Sequence, residues 1–356
     1  MKTIQLASLL GDGIGPDIVH STMRVLQQAG HNNGVDIEFA VLPSGLAAVE
    51  TEGGTLPEST IKELPHYPGW ILGPVSHHVY PQGDRRYINP SAYLRKRFEL
   101  YANIRPSQAF EGVPSVRSDV DLVIVRENTE GFYADRNVLD GNGEFRPNED
   151  TVISLRVVSR RASIRVAQQA FLLAQRRHRA RKVTAVHKAN VLRKGDGLFL
   201  ECCRQVASEY PDITLEDYHV DAFAMYLLTK PQEFDVVVTT NMFGDILSDE
   251  AAGLVGGLGM APGLNAGDNY AMAQATHGSA PDIEHLHVAN PVSEILSGKL
   301  LLEWLSEQKS MPELREAALG VQQAVARTLA EGTQLTPDLG GKASTEDMTK
   351  SILGKL

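Results

Sequence analysis

Two carboxylates stand at helical spacing in the last third of the chain. Asp245 and Asp249 lie four residues apart in the stretch TTNMFGDILSDEAAG, and on a helix this spacing places both on one face. The stretch follows the apolar run FDVVVTT, which predicts a buried strand, and α/β proteins bind ligands beyond the carboxyl ends of such strands. A Mg²⁺ or Mn²⁺ ion would relieve the repulsion between the carboxylates. The alternative is a solvated helix face.

Three arginines mark other element ends. Arg95 lies in NPSAYLRKRF, whereas Arg105 in YANIRP and Arg126 in LVIVRENTEGFY each end a predicted strand. Any one of them alone is typical of a surface ion pair. Three converging guanidinium groups would instead bind a substrate with several carboxylates. Tyr133 follows Arg126 by seven residues, and Lys188 in AVHKAN ends another predicted strand. A lysine buried beside metal and substrate could titrate near neutral pH.

The composition narrows the class of protein. A chain of 356 residues predicts two domains or one large one. Its 44 acidic and 34 basic residues give a net charge of -10, which argues against nucleic acid as the main partner. The basic run QRRHRARK is interpreted as a helix end. The two cysteines, Cys202 and Cys203, are adjacent, which predicts free thiols in a reducing compartment. With neither a signal peptide nor a membrane span expected, the predicted location is cytoplasmic.

Short β-rich runs alternate with stretches of helical period, which predicts an α/β fold. Pro16 is expected to open a helix after the first strand, and LDGNGEFRPNED (Leu139 to Asp150) is interpreted as a hairpin tip or excursion. Strands are predicted in IQLASLL, IEFAVL, GWILG, DLVIVR, TVISLRVV, KVTAVH and FDVVVTT, and late helices near Pro291 to Leu305 and Pro312 to Ala330.

The glycine-rich stretch LLGDGIGPDIV invites a dinucleotide-binding interpretation, but it does not match the fingerprint. Gly11, Gly13 and Gly15 are spaced G-x-G-x-G, and Pro16 stands where the third required glycine would lie. The acidic residue expected at the end of the second strand is also missing from IEFAVLPSG. A tight strand-to-helix turn near a site is the favoured interpretation.

Taken together, the motifs resemble the isocitrate/isopropylmalate dehydrogenase family of metal-dependent β-decarboxylating dehydrogenases. The resemblance covers nearly the whole chain through GDGIGP, LRKRFELYANIRP, VRENTEGFY, VHKANVL, NMFGDILSDEAAGLVGGLGMAPG, HGSAPDI and TPDLGG. It implies a non-Rossmann fold of two α/β domains around a cleft. Residues 1–100 plus 257–356 would form the large cofactor-binding domain, and 101–256 a smaller domain with the dimer interface and clasp.

The resemblance also implies roles for the residues. Arg95, Arg105 and Arg126 would hold the malate-like part of the substrate. Asp245 and Asp249 would bind Mg²⁺ or Mn²⁺ together with Asp221 of the partner subunit, and Tyr133 and the partner's Lys188 would perform the proton chemistry. The active sites would therefore be shared in a homodimer, with a tetramer as the alternative.

The same resemblance places the adenosine end of the cofactor at the loop HGSAPDI, much later in the sequence than the glycine motif. Asp282 would accept hydrogen bonds from both ribose hydroxyls and repel a 2′-phosphate, so the expected cofactor is NAD. The expected cofactor-binding residues are Ile14, His277, Gly278, Ser279, Ala280, Asp282, Ile283 and Asn290.

The substrate is expected to be a di- or tricarboxylate, most favourably isocitrate or a close relative such as homoisocitrate. Asn89 and Ser91, which precede Arg95, are the serine and asparagine of isocitrate enzymes in swapped order, and this polar pair disfavours an isopropyl group. His77 and His78 depart from the family, either contacting a polar substrate or lining the rim of the cleft. Tartrate, D-malate or 3-isopropylmalate oxidation is the alternative, and a non-catalytic regulatory subunit is disfavoured because the catalytic and metal residues are present.

Overall fold

The computed structural model describes residues 1–81, 83–84, 86–133 and 143–356. Two compact units divide the chain: unit 1 comprises residues 1–94, 109–118 and 255–356, and unit 2 comprises 95–108 and 119–254. The strands are β1 (Lys2–Leu9), β2 (Val35–Val41), β3 (Gly69–Leu72), β4 (Ala102–Gln108), β5 (Asp121–Glu127), β6 (Glu144–Asn148), β7 (Thr151–Ser154), β8 (Lys182–His187), β9 (Thr214–His219), β10 (Val236–Thr239), β11 (Leu264–Ala266) and β12 (Ala271–Ala273). The helices are α1 (Gly15–Asn32), α2 (Gly45–Glu52), α3 (Glu58–Glu63), α4 (Pro90–Arg97), α5 (Arg160–Arg177), α6 (Gly195–Ala207), α7 (Val220–Thr229), α8 (Asn241–Leu254), α9 (Val292–Gln308), α10 (Pro312–Glu331) and α11 (Thr345–Leu353).

Unit 1 is built on a mostly parallel set of strands in the order β2-β1-β3-β12-β11, in which only the β11–β12 pair is antiparallel. Helix α1 opens with Pro16 in its first turn, where the missing amide hydrogen costs nothing, and it buries Ile18, Val19 and Leu26. Helices α9 and α10 pack on α1 and on each other. Gly298 permits this approach, since a Cβ there would lie 2.8 Å from a Leu26 methyl. The core of unit 1 therefore joins the two ends of the chain.

In unit 2 the strand order is β4-β5-β10-β8-β9, with an antiparallel β4–β5 pair and parallel pairs thereafter. Every residue of β10 is buried, as the apolar run predicts for a strand covered on both faces. Helix α5 begins at the Ser159 cap and packs Phe171 into the core beneath this sheet. The carboxyl ends of these strands carry Arg126, Lys188 and the start of α8.

A separate antiparallel hairpin, β6–β7, is exposed along both strands. The part of the expected excursion from Gly143 to Asp150 lies in this hairpin, whereas residues 139–142 lie outside the described residues. The strand predicted in TVISLRVV ends early, at Ser154, and Arg156 beyond it forms an ion pair with the buried Asp196.

Among the described residues, no helix is both long and apolar enough to cross a membrane. Both cysteines are free and buried. The cytoplasmic location stays a prediction.

Candidate active site

Helix α8 carries the carboxylate pair of unit 2. It begins two residues after β10, and Asp245 and Asp249 lie one turn apart on it. Gly244 lets the helix approach β5, because a Cβ at this position would lie 2.6 Å from the Cβ and Cγ of Arg126. A glycine in the first turn of α8 thus brings the first carboxylate against the arginine at the end of β5.

Arg126 is held in one orientation by Asn241. The Asn241 Oδ1 accepts from Arg126 Nε at 2.9 Å and from Nη2 at 2.7 Å. Its amide nitrogen donates to the backbone oxygen of Glu130 at 2.9 Å, which fixes the asparagine in turn. The remaining guanidinium nitrogen, Nη1, forms a close ion pair with Asp245 Oδ1. The buried guanidinium is therefore directed at the carboxylate pair.

Arg105 approaches the same carboxylates from β4. Its Nε donates to Asn103 Oδ1 and its Nη1 to Ser248 Oγ, both at 2.7 Å. Nη1 also lies 3.3 Å from Asp245 Oδ1 and 3.4 Å from Asp249 Oδ1. Burial and the neighbouring Arg126 lower the pKa of Arg105 to about 10, so it stays charged at neutral pH.

Tyr133 completes this cluster. Its hydroxyl donates to Asp245 Oδ2 at 3.0 Å, and its ring lies 5.6 Å from the Arg126 guanidinium carbon. Arg95 extends from α4 and donates from Nη1 to Asn128 Oδ1 at 3.3 Å, while Asn128 binds the Leu100 carbonyl. We call Arg105, Arg126, Tyr133, Asp245 and Asp249 the arginine–carboxylate cluster.

The two carboxylates of the cluster differ in acidity. Burial would raise the pKa of Asp245, but Arg126, Arg105 and the Tyr133 hydroxyl outweigh it, and the pKa lies below its ordinary value. Burial raises the pKa of Asp249, and the charge of Asp245 adds to that rise although Arg105 opposes it. A divalent cation between them would offset both the burial and the mutual repulsion, as expected for a hard-metal site.

Lys188 and Asp221 form a separate pair. Lys188 follows β8 and Asp221 lies in the first turn of α7, directly after β9, whose His219 is paired with His187. The Lys188 Nζ lies 2.5 Å from Asp221 Oδ1. Within the described residues, no three His, Cys, Asp or Glu side chains are grouped to hold a metal, so Asp221 does not join Asp245 and Asp249 in one chain.

The expected cofactor loop lies in unit 1, after β12. The Ala275 amide donates to Oε2 of the fully buried Glu294 at 2.7 Å. Ala280 adopts a left-handed backbone with φ of 42°, and its carbonyl accepts from the Ile283 amide at 3.1 Å. This tight turn leaves Asp282 exposed.

The flanking residues of the loop are engaged in the fold itself. Burial lowers the pKa of His277, despite its contact with Gly278 and the charge of Asp338, so its ring is neutral at neutral pH. Asn290 is buried, donating to Asp338 Oδ2 at 2.9 Å and accepting from the Val292 amide at 3.0 Å. A Cβ on Gly278 would meet nothing within 4 Å, so this position is open.

The glycine-rich turn before α1 is a scaffold for this loop. A Cβ on Gly13 would lie 2.1 Å from the Ser279 carbonyl oxygen, which accepts from the Ile14 amide at 3.0 Å. The buried Asp12 carboxylate accepts from the Leu46 amide, the Ser76 amide and the Tyr80 hydroxyl at 2.6, 2.7 and 2.5 Å. The glycines therefore permit close backbone packing.

The residues expected to select the substrate form hydrogen bonds with other residues of unit 1. Ser91 Oγ donates to Gln274 Oε1 at 2.7 Å, and Asn89 Oδ1 accepts from the Ala92 amide at 3.2 Å. His77 and His78 are exposed on a short 3-10 turn, with the His77 ring edge-on to Tyr80.

Several residues that orient the three arginines were not anticipated from sequence. Asn103, Asn128, Asn241 and Ser248 each accept from one of the arginines. The only local signal is the alternation of Asn103 and Arg105 along β4, which places both on one face of the strand.

The chain belongs to the isocitrate/isopropylmalate dehydrogenase family, since residues 5–352 match the sequence profile of isocitrate/isopropylmalate dehydrogenase. This confirms the resemblance seen in the motifs. Members of the family are metal-dependent oxidative decarboxylating dehydrogenases, and NAD-using enzymes are among them.

Individual relatives differ in their substrates. The 3-isopropylmalate dehydrogenase of Methanothermobacter thermautotrophicus is 42% identical over 99% of this chain and 98% of its own. The isocitrate/homoisocitrate dehydrogenase of Thermus thermophilus is 40% identical over 97% of this chain and 96% of its own. The crystal structure of isocitrate dehydrogenase from Methylococcus capsulatus is 40% identical, with a TM-score of 0.86 over 99% of both chains. The expected α/β fold is confirmed.

Proposed function

We propose that the protein oxidatively decarboxylates a 2-hydroxy-3-carboxy acid, isocitrate or a close relative such as homoisocitrate, with NAD as the acceptor. The supporting observation is the arginine–carboxylate cluster. Arg105 and Arg126 are 7% and 2% exposed, and both are directed at carboxylate oxygens. Two buried, preoriented guanidinium groups suit a substrate with several carboxylates, because a fixed guanidinium donates charge-assisted hydrogen bonds to carboxylate oxygens.

The carboxylate pair fits Mg²⁺ or Mn²⁺. Asp245 and Asp249 offer only oxygen donors, one turn apart, and the pKa of Asp249 is raised by burial and by its neighbour. Asp221 of the partner subunit would complete the set. When bound, the metal withdraws charge from the substrate hydroxyl and carbonyl oxygens.

The protein's own residues would then divide the work. The arginines bind the carboxylates and fix the carbon that bears the hydroxyl. Lys188 of the partner subunit would accept the hydroxyl proton while that carbon is oxidised, and bound NAD would supply the hydride acceptor. Carbon dioxide departs as the carbon–carbon bond breaks, and the Tyr133 hydroxyl gives its proton to the resulting enolate carbon. General acid–base help of this kind contributes roughly 10²–10⁴-fold.

NAD is the proposed cofactor because Asp282 is an exposed carboxylate on a tight turn. A carboxylate there accepts from both ribose hydroxyls and repels a 2′-phosphate. His277, Gly278, Ser279, Ala280, Ile283 and Asn290 would line the adenosine end, with Ile14 towards the nicotinamide.

A homodimer with shared sites is the proposed assembly. Exposed apolar side chains lie on α7 and α8 of unit 2, where Met225, Leu228 and Ile246 are 51%, 50% and 59% exposed. Such residues suit burial against a second copy. Lys188 and Asp221 pair with each other in one chain, as expected if both serve the partner's carboxylates.

3-Isopropylmalate is the second candidate substrate. One relative named above acts on it, and Ser91 and Asn89 direct hydrogen-bonding atoms at Gln274 and Ala92 of the protein itself. That engagement weakens the polar wall that would disfavour an alkyl group.

A substrate panel tests the proposal. Isocitrate, homoisocitrate, 3-isopropylmalate, tartrate and D-malate would be compared by kcat/KM with NAD and Mn²⁺, using Asp245→Asn as the inactive control. Highest kcat/KM with isocitrate or homoisocitrate supports the assignment. A preference for 3-isopropylmalate moves the assignment to the second candidate. If no acid is oxidised with either NAD or NADP, the result contradicts a dehydrogenase and favours a regulatory role.

A further inference from the structure

We propose that Arg156 is a positioning residue that fastens the turn carrying Lys188 to the start of the helix carrying the carboxylates. The inference rests on the proposed function for the roles of Lys188, Asp245 and Tyr133. It assigns Arg156 no contact with substrate.

The first contact of Arg156 is with Asp196. Its Nη2 lies 2.5 Å from Asp196 Oδ1, and the carboxylate is fully buried in the first turn of α6. The other carboxylate oxygen, Oδ2, accepts from the backbone amide of Lys188 at 2.6 Å. Because a buried carboxylate without a counter-charge is costly, the ion pair with Arg156 stabilises the Asp196 carboxylate in the position where it accepts from that amide.

The second set of contacts is with the start of α8. Nη2 of Arg156 donates to Thr240 Oγ1 at 3.2 Å, one residue before the helix. The guanidinium carbon also lies 5.7 Å from the centre of the Phe243 ring. Phe243 stands two residues before Asp245. The Arg156 side chain therefore contacts both the Asp196 carboxylate, which holds the Lys188 amide, and the start of the helix that carries Asp245 and Asp249.

A third contact reaches the segment that carries Tyr133. The guanidinium carbon lies 5.8 Å from the Phe132 ring, so the cation sits within reach of two aromatic rings. The neighbouring Gly195 keeps this space open, since its Cβ would lie 3.1 Å from Arg156 Nη1. An arginine suits this position because its planar fork can contact an anion, a hydroxyl and aromatic rings at once.

The backbone around Lys188 is braced on its other side as well. Nδ1 of His187 lies 3.0 Å from the Ala189 amide nitrogen and Nε2 lies 3.2 Å from Asp217 Oδ2, so the ring carries its proton on Nε2. The backbone amides of Lys188 and Ala189 are thus both hydrogen-bonded, and only the bond from Lys188 to Asp196 depends on Arg156. Loss of Arg156 is expected to loosen the turn without removing the strand that precedes it.

The test combines a measurement that needs no activity with one that does. Hydrogen exchange of the segment 186–192 would be compared in wild type, Arg156→Gln, Arg156→Lys and Asp196→Asn. Arg160→Gln is the matched control, because Arg160 makes an exposed ion pair with Glu201 of α6, the helix that also carries Asp196. Arg156→Gln is expected to speed exchange of the Lys188 amide by about 10-fold, the size of one lost charge-assisted hydrogen bond.

Steady-state kinetics then test whether the loss of Arg156 lowers activity by way of Lys188. Arg156→Gln is expected to lower kcat about 10-fold while the KM for the hydroxy acid changes less than about 3-fold. In a Lys188→Ala background the same change should cost no further activity, because neighbours that act as a unit are non-additive. Arg156→Lys keeps the charge towards Asp196, so it should return exchange of the Lys188 amide towards the slow wild-type rate and recover part of kcat. It serves in place of Arg156→Gln if that variant does not fold.

Two results would overturn the inference. One is that the Lys188 amide exchanges no faster in Arg156→Gln than in Arg160→Gln. The other is that Arg156→Gln causes its full loss of activity again in the Lys188→Ala background. An inactive wild-type protein would instead refute the proposed function. The exchange comparison would then decide alone whether Arg156 fastens the turn.

Discussion

A mixture of two inactive variants should regain activity if the active sites are shared. The perturbations are Lys188→Ala in one preparation and Asp249→Asn in the other. In one chain the Lys188–Asp221 pair, with its 2.5 Å contact, does not join Asp245 and Asp249 in a three-ligand group within the described residues. A shared site therefore takes its lysine from one protomer and its carboxylates from the other.

The magnitude follows from random pairing. After dissociation and reassociation of equal amounts, half of the dimers are mixed, and each mixed dimer has one centre with both residues intact and one with neither. The mixture should therefore show about one quarter of wild-type activity. Each variant alone should retain about 1% or less, given the usual weight of acid–base or metal chemistry.

The assay is NADH formation with the best substrate of the panel, measured before and after reassociation. Lys188→Ala mixed with Asp221→Asn is the matched control, because both residues serve the partner's centre and no mixed dimer contains an intact one. Recovery in the first mixture alone supports shared sites. No recovery in the first mixture, or equal recovery in both, would refute the reasoning.

Three other predictions follow from individual side chains. Tyr133→Phe should lower kcat by at least about 10²-fold and leave the KM for the hydroxy acid within a few fold, because the hydroxyl acts on the enolate and not in binding; a raised KM with unchanged kcat would contradict that role. Asp282→Lys should lower kcat/KM for NAD and raise it for NADP, and Glu284→Lys on the same loop is the control. A wild-type preference for NADP would contradict the proposed role of Asp282 in selecting NAD. Burial raises the pKa of Glu294 to about 8, so its folded form holds a proton that the unfolded form releases above about pH 4.5, and the folded state loses stability as pH rises through this range. Glu294→Gln should therefore stabilise the protein by about 1–3 kcal/mol at pH 7 and by little near pH 5, as measured by denaturant unfolding at both values, and equal differences at the two pH values would show that Glu294 does not titrate there.

The ends of strands are easier to predict from the sequence than the hydrogen-bond partners that orient the side chains at those ends. Arg105, Arg126 and Asp245 follow from apolar runs and helical spacing, and the structure brings them together with Tyr133. Asn241 holds Arg126 across 115 positions of sequence, and no local pattern announces a partner so far away. Its signal is the fold itself, which places the start of α8 beside the end of β5.

The same limit applies to buried charges. Asp12 lies in a glycine-rich turn and Asp196 near the start of a helix, and in sequence both are typical of exposed polar positions. Each is instead 4% exposed or less and binds backbone amides. Such roles depend on which loops meet in three dimensions, so periodicity does not reveal them. The glycine motif was distinguished from a Rossmann loop because Pro16 and the missing acidic residue are local features.

The interleaved order of strands in unit 1 has a consequence for synthesis. Strand β3 pairs on one side with β1, made shortly before it, and on the other with β12, which begins at Ala271. The ribosome must add about 200 residues after Leu72 before that second edge can pair, which takes roughly 10 to 40 s at usual rates of elongation. During that time the apolar strand GWIL exposes an unpaired edge, the kind of surface that recruits other chains. Unit 2 lies wholly within this interval of the chain, so its sheet can close while the second edge of β3 is still unpaired.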